Sequence, residues 1–83
     1  MADWSDADRE QAEVFRMMLD QERAGLSELL DAQRGLLARY EDAGDRAQVL
    51  RMRRVISAIE SEVRSIDRMI GALGHRFPPM RHP

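Results

Sequence analysis

The stretch VLRMRRVISAIESEVRSIDRMIGAL, from Val49 to Leu73, decides the fold. Taken every three and four residues it reads Val49, Met52, Ile56, Ile59, Val63, Ile66, Ile70 and Leu73, an unbroken heptad stripe with Val or Ile at every a position. Arg51, Arg53, Arg54, Ser57, Glu60, Ser61, Arg64, Ser65 and Arg68 fill the positions between. The period is helical and closer to 3.5 than to 3.6, which describes a helix whose narrow apolar seam lies along another helix.

The partner helix precedes it. A second stripe runs Phe15, Leu19, Glu22, Leu26, Leu29, Gln33, Leu36, Tyr40, with Met18, Leu30 and Leu37 on a parallel shoulder. Ser5 is a suitable N-cap, with Asp8 three residues on and acidic residues in the first turn. Gly25 lies within the span, but the heptad phase passes through it without a slip, so one long helix is expected in place of two. Between the stripes, Glu41-Asp42-Ala43-Gly44-Asp45 is the clear turn: Gly44 suits a left-handed position after a helix, and Asp45 caps the next one, with Gln48 at its third position. A turn this short makes the helices antiparallel neighbours. It sets Tyr40 near Val49, Leu29 near Ile59 and Leu19 near Ile70. Gly74 is expected to end the second helix, and His75 to Pro83, with paired prolines, to be extended or disordered.

The expected fold is therefore all-α: an antiparallel, coiled-coil-like helical hairpin over 1–74, with helices near 5–42 and 45–73 and a tail over 75–83. Two helices bury only one face each. Met18, Leu30, Leu37, Val55 and Met69 widen the apolar stripe beyond one seam, so they are expected to form an oligomer interface in a homodimeric four-helix bundle.

Composition narrows the function. The chain has 83 residues, 13 basic and 15 acidic, for a net charge of -2. This balance does not by itself recruit nucleic acid or membrane. Cysteine is absent, which excludes disulfides and thiolate metal sites. Every basic residue is Arg, and Thr and Asn are absent as well, a pattern expected of a GC-rich bacterial genome. The acidic N-terminus lacks the basic and apolar regions of a signal peptide, and no apolar run reaches the length of a membrane span, so a cytoplasmic location is expected.

No catalytic, cofactor-binding or metal-binding signature is present. A di-metal carboxylate bundle needs Glu-x-x-His motifs, and the only histidines are His75 and His82, both near the C-terminus. Arg46, Arg51, Arg53 and Arg54 cluster near the turn without aromatic residues for base stacking, beside Glu41, Asp42 and Asp45. The expected function is a non-enzymatic protein–protein interaction module, a small bacterial adaptor, regulator or assembly factor. Trp4 and the segment Phe77, Pro78, Pro79, Met80 are the candidate partner-binding residues, the latter as a preformed extended ligand. The alternative is a small all-α enzyme resembling the chorismate-mutase type. In that type, helical dimers bind an anionic substrate through Arg side chains, and Glu22 and Gln33 would have to meet Arg inside the bundle. The acidic tip also resembles that of the transcript-cleavage factors that insert a coiled-coil tip into RNA polymerase. That resemblance covers the hairpin alone and implies a polymerase-associated regulator; a nucleic-acid or RNA-polymerase-associated regulator is the further alternative.

Overall fold

In a computed structural model, which describes residues 5–77, the chain is an antiparallel pair of helices: α1, Asp6–Asp42, and α2, Arg46–Arg76. The molecule is a rod 59 × 23 × 18 Å in extent, as two helices of this length require at about 1.5 Å per residue.

The ends of the helices follow the local chemistry of the sequence. The Ser5 hydroxyl accepts a hydrogen bond from the Asp8 N–H at 3.1 Å, and Asp6 and Asp8 occupy the first turn. At the other end of α1, the Gly44 N–H donates to the Glu41 carbonyl and the Asp45 N–H to the Tyr40 carbonyl. This Schellman arrangement needs a left-handed residue, and Gly44 supplies it at φ 70°. The Asp45 carboxylate then accepts from the Gln48 N–H at 3.2 Å and starts α2. Only three residues separate the helices, so they pack side by side in opposite directions. α1 runs through Gly25 and Gly35 without a break.

α2 does not stop at Gly74, as expected from the sequence. It continues through His75 and Arg76, and the Phe77 N–H still donates to the Leu73 carbonyl at 2.8 Å. Gly74 has no positive φ and serves as an ordinary helical residue. The stop comes instead at Phe77, because the residue before a proline is sterically pushed out of the helical region and Pro78 follows it.

The α2 face of the core is the expected one: Val49, Met52, Ile56, Ile59 and Ile66 are buried, and Val63, Ile70 and Leu73 are half-buried. The α1 face is rotated from expectation. Its seam reads Ala12, Arg16, Leu19, Arg23, Leu26, Leu30, Gln33, Leu37, Tyr40. Leu30 is 9% exposed and joins Ile56 and Ile59 in the central cluster, with Leu26, Leu37 and Val63 against it. Leu29, expected in the seam, is 44% exposed, and Phe15 and Leu36 are exposed too. The two candidate stripes share Leu19, Leu26, Gln33 and Tyr40. They differ in whether Glu22 or Arg23 comes to the seam. A buried, unpaired carboxylate costs several kcal/mol. Rotating α1 sends Glu22 to water and brings in Arg23, a side chain long enough for its guanidinium to leave the seam and reach Asp67 at the surface.

Candidate functional site

The rotation of α1 divides the hairpin into two unlike faces. In antiparallel helices, residues displaced in the same sense from the seam lie on the same side. The ion pairs fix which side is which. Arg34 and Glu60 each follow a seam residue and meet at 3.3 Å. Arg23 pairs with Asp67, which follows Ile66. The hydrogen bond to Asp67, with that carboxylate's charge, holds the Arg23 guanidinium above its ordinary pKa. These are the only ion pairs among the described residues, and both lie on this side.

The opposite side is built from residues that immediately precede seam residues. On α1 these include Phe15, Met18, Leu29 and Leu36, and on α2 Val55 and Met69. All six are exposed large hydrophobics. Ala32, Ala58 and Ala72, all exposed, lie among them. Glu22 and Glu62 cross the face near its middle, and Arg39 and Arg51 close it at the turn end. A compact monomer of 9.6 kDa exposes about 5,100 Å². This chain exposes 6816 Å². An excess of this sign is what an elongated two-helix rod entails; six of its exposed large hydrophobics gather on the open face, while Met17 and Leu50, which follow seam residues, lie on the ion-paired side.

At the open end of the hairpin this face deepens into a groove of about 440 Å³, lined by Ala12, Phe15, Met18, Leu73 and Phe77, with Asp8 and Gln11 at its polar edge. The groove exists because α2 outruns Gly74 and carries Phe77 opposite Ala12. The Arg16 guanidinium lies over Gly74, close enough that a β-carbon there would fall 2.8 Å from it.

Of the residues expected at an oligomer interface, Met18, Val55 and Met69 lie on the open face. Leu30 and Leu37 do not: the structure puts them in the hairpin's own core, because α1 turns its Leu30 side to α2. Phe15, Leu29 and Leu36 take their place on the open face. Among the candidate partner-binding residues, Phe77 lines the groove, while Trp4, Pro78, Pro79 and Met80 lie outside the described residues.

Glu22 and Gln33, considered together as a polar pair inside the bundle, are not brought together: Glu22 is exposed and Gln33 is half-buried in the seam. Rotation of the stripe puts two arginines on seam positions, Arg16 and Arg23, where the stripe Phe15, Leu19, Glu22, Leu26, Leu29, Gln33, Leu36, Tyr40 has none. Their heads go to the surface at Gly74 and Asp67. Arg46, Arg51, Arg53 and Arg54 are all exposed. Arg53 and Arg54 line a shallow depression with Ser57 and Ser61 on α2, and Arg46 lies by the turn.

Among the described residues no buried side-chain polar atom lacks a hydrogen-bond partner, and no three His, Asp or Glu side chains gather as metal ligands would. No helix among them is long and apolar enough to cross a membrane. The class these features define is an all-α antiparallel helical hairpin with one ion-paired and one apolar face. Compared with known proteins, the chain matches no family model, no curated protein and no solved structure.

Proposed function

We propose that the protein is a non-enzymatic interaction module, a small cytoplasmic bacterial adaptor, regulator or assembly factor that works through its open apolar face. One observation carries this reading: Phe15, Met18, Leu29, Leu36, Val55 and Met69 are exposed on one side of a rod whose own core is complete without them. Exposed apolar area of this continuity marks protein interaction surfaces. Its aromatic and methionine content at the open end suits the contact centre of such a surface. On the ion-paired reverse face the exposed Met17 and Leu50 stand far apart along the rod, with Arg34, Glu60 and Asp67 between them.

The groove at the open end is the best candidate for the client's anchor. It is apolar at its floor and carries a carboxylate, Asp8, at its edge. An apolar side chain from a client's helix or extended segment fits that chemistry, with a basic neighbour toward Asp8. The experiment is affinity purification from the native host with the wild-type chain and with Phe15→Glu/Met18→Glu. Both positions are exposed, so the hairpin is expected to fold in the variant. A client recovered by the wild type and lost from the variant supports the reading. Equal recovery by both contradicts it.

A further inference from the structure

We propose that the half of the open face nearest the turn is covered by a second copy of this chain, each helix crossing antiparallel over its own counterpart to make a four-helix bundle. The inference rests on the reading of the open face as a working surface and adds its occupant and register.

The argument is the self-complementarity of this half. Along α1 it reads Glu22, Gly25, Leu29, Ala32, Leu36, Arg39. Along α2 it reads Arg51, Val55, Ala58, Glu62. A two-fold axis lying in the face maps each stripe onto itself reversed. Let that axis cross α1 between Leu29 and Ala32 and α2 between Val55 and Ala58. Leu29 then meets the second copy's Ala32, Leu36 its Gly25, and Val55 its Ala58, a large residue against a small one each time. Arg39 meets the second copy's Glu22 and Arg51 its Glu62, a cation against an anion each time. The two crossing points lie at nearly the same height on the hairpin, because Leu30, beside the first, packs on Ile56 and Ile59, which flank the second. One axis therefore satisfies both helices.

The single chain leaves these groups ready for such a contact. The space over Gly25 is open, with nothing within 4 Å of where a β-carbon would stand. Glu22, Glu62, Arg39 and Arg51 are exposed and form no ion pair among the described residues, whereas the pairs that do form there lie on the other face. Other registers lose the match. Copies running in the same direction lay α1 over the second copy's α2 at equal height and set Arg39 on Arg51, cation against cation. Full-length antiparallel overlap, centred on the middle of the rod, stacks the glutamates on one another. In the offset register the contact runs from the turn to Glu22, roughly 33 Å at 1.5 Å per residue, on a face 23 Å wide. That area is close to the ~800 Å² per partner of a standard interface. The open-end groove stays outside it, available to a client.

The test is sedimentation equilibrium of the full chain at micromolar concentrations, with circular dichroism confirming that every variant is helical. The wild type is expected to be a dimer. Arg39→Glu/Arg51→Glu replaces attraction with repulsion at four symmetric places and is expected to raise Kd about tenfold or more. Adding Glu22→Arg/Glu62→Arg to that variant restores complementarity and is expected to bring Kd back to within about threefold of wild type. Gly25→Leu, which fills the space that Leu36 needs, is expected to weaken the dimer at least as much while leaving helicity equal or higher. An Arg variant that dimerises like the wild type, or a four-fold variant no better than the two-fold one, overturns the register. A wild type that stays monomeric overturns the second copy as occupant. Capture of a client by the wild type but not by Phe15→Glu/Met18→Glu would still uphold the interaction reading.

Discussion

Ile59 is the residue on which the hairpin most depends. It is 7% exposed in the central cluster, with Leu30 and Ile56, and Leu26, Leu37 and Val63 lean on them. Three substitutions there form a graded series. Ile59→Val removes one methylene and is expected to cost about 0.5–1.5 kcal/mol, and Ile59→Ala about 2–5 kcal/mol with its cavity. Ile59→Asp adds a carboxylate to an apolar layer, a further penalty of several kcal/mol if it stays charged and unpaired. Arg34 and Arg23 on the facing helix are already engaged, with Glu60 and Asp67. A small domain has about 5 kcal/mol to lose. The aspartate variant is therefore expected to lose its helicity at neutral pH, while Arg53→Asp, at an exposed position, stays folded. Burial would raise the new carboxyl's pKa in the folded state. The penalty is then full above that raised value and shrinks as pH falls through it toward the unfolded value of about 4. Some helicity is thus expected to return in mild acid. Urea and thermal melts followed by circular dichroism read the series. If Ile59→Asp and Arg53→Asp melt alike, the packing described for the seam is refuted.

Other perturbations have definite signs. Gly44→Ala forces a side chain into φ 70° and is expected to destabilise by about 1 kcal/mol, whereas Gly35→Ala, in a helix with open space around it, is expected to stabilise by about the same amount; thermal melts compare them. Gly74→Ala is expected to be neutral or mildly stabilising, because Gly74 is helical and only the flexible tip of Arg16 must move; a clear loss in the melt would mean that the helix ends there after all. A double-mutant cycle on Arg23→Gln and Asp67→Asn is expected to show a small coupling that fades in high salt, since both side chains are largely in water.

What the sequence made legible was local. Ser5 and Asp45 cap because a short polar oxygen can reach the N–H three residues on, and Gly44 takes the turn because no other residue there does so without strain. α2 was legible because its Val and Ile positions leave a single apolar stripe. α1 was ambiguous for a physical reason: Leu29-Leu30 and Leu36-Leu37 are adjacent leucine pairs, and either member fits a heptad. The choice between them depends on the desolvation of Glu22, a tertiary cost that periodicity does not weigh. The signal was nevertheless present, because the stripe chosen from the pattern carried Glu22 into a core where no basic seam residue faced it. The same rotation decided the candidate surface. Met18, Val55 and Met69 were recognisable as a shoulder, but Phe15, Leu29 and Leu36 came into view only once α1 had turned. The end of α2 is not legible from Gly74, because glycine both terminates helices and is tolerated within them; Pro78 is the stronger constraint.

The central claim is that the turn half of the open face, with Leu36 in it, is covered by a second copy of the chain and is no part of the hairpin's own core. Sedimentation equilibrium of the wild type beside Leu36→Glu tests it most directly. The account predicts twice 9.6 kDa for the wild type and a helical species of 9.6 kDa for the variant. A wild type that remains at 9.6 kDa across the concentration range, or a Leu36→Glu variant that keeps the doubled mass or unfolds, would contradict it.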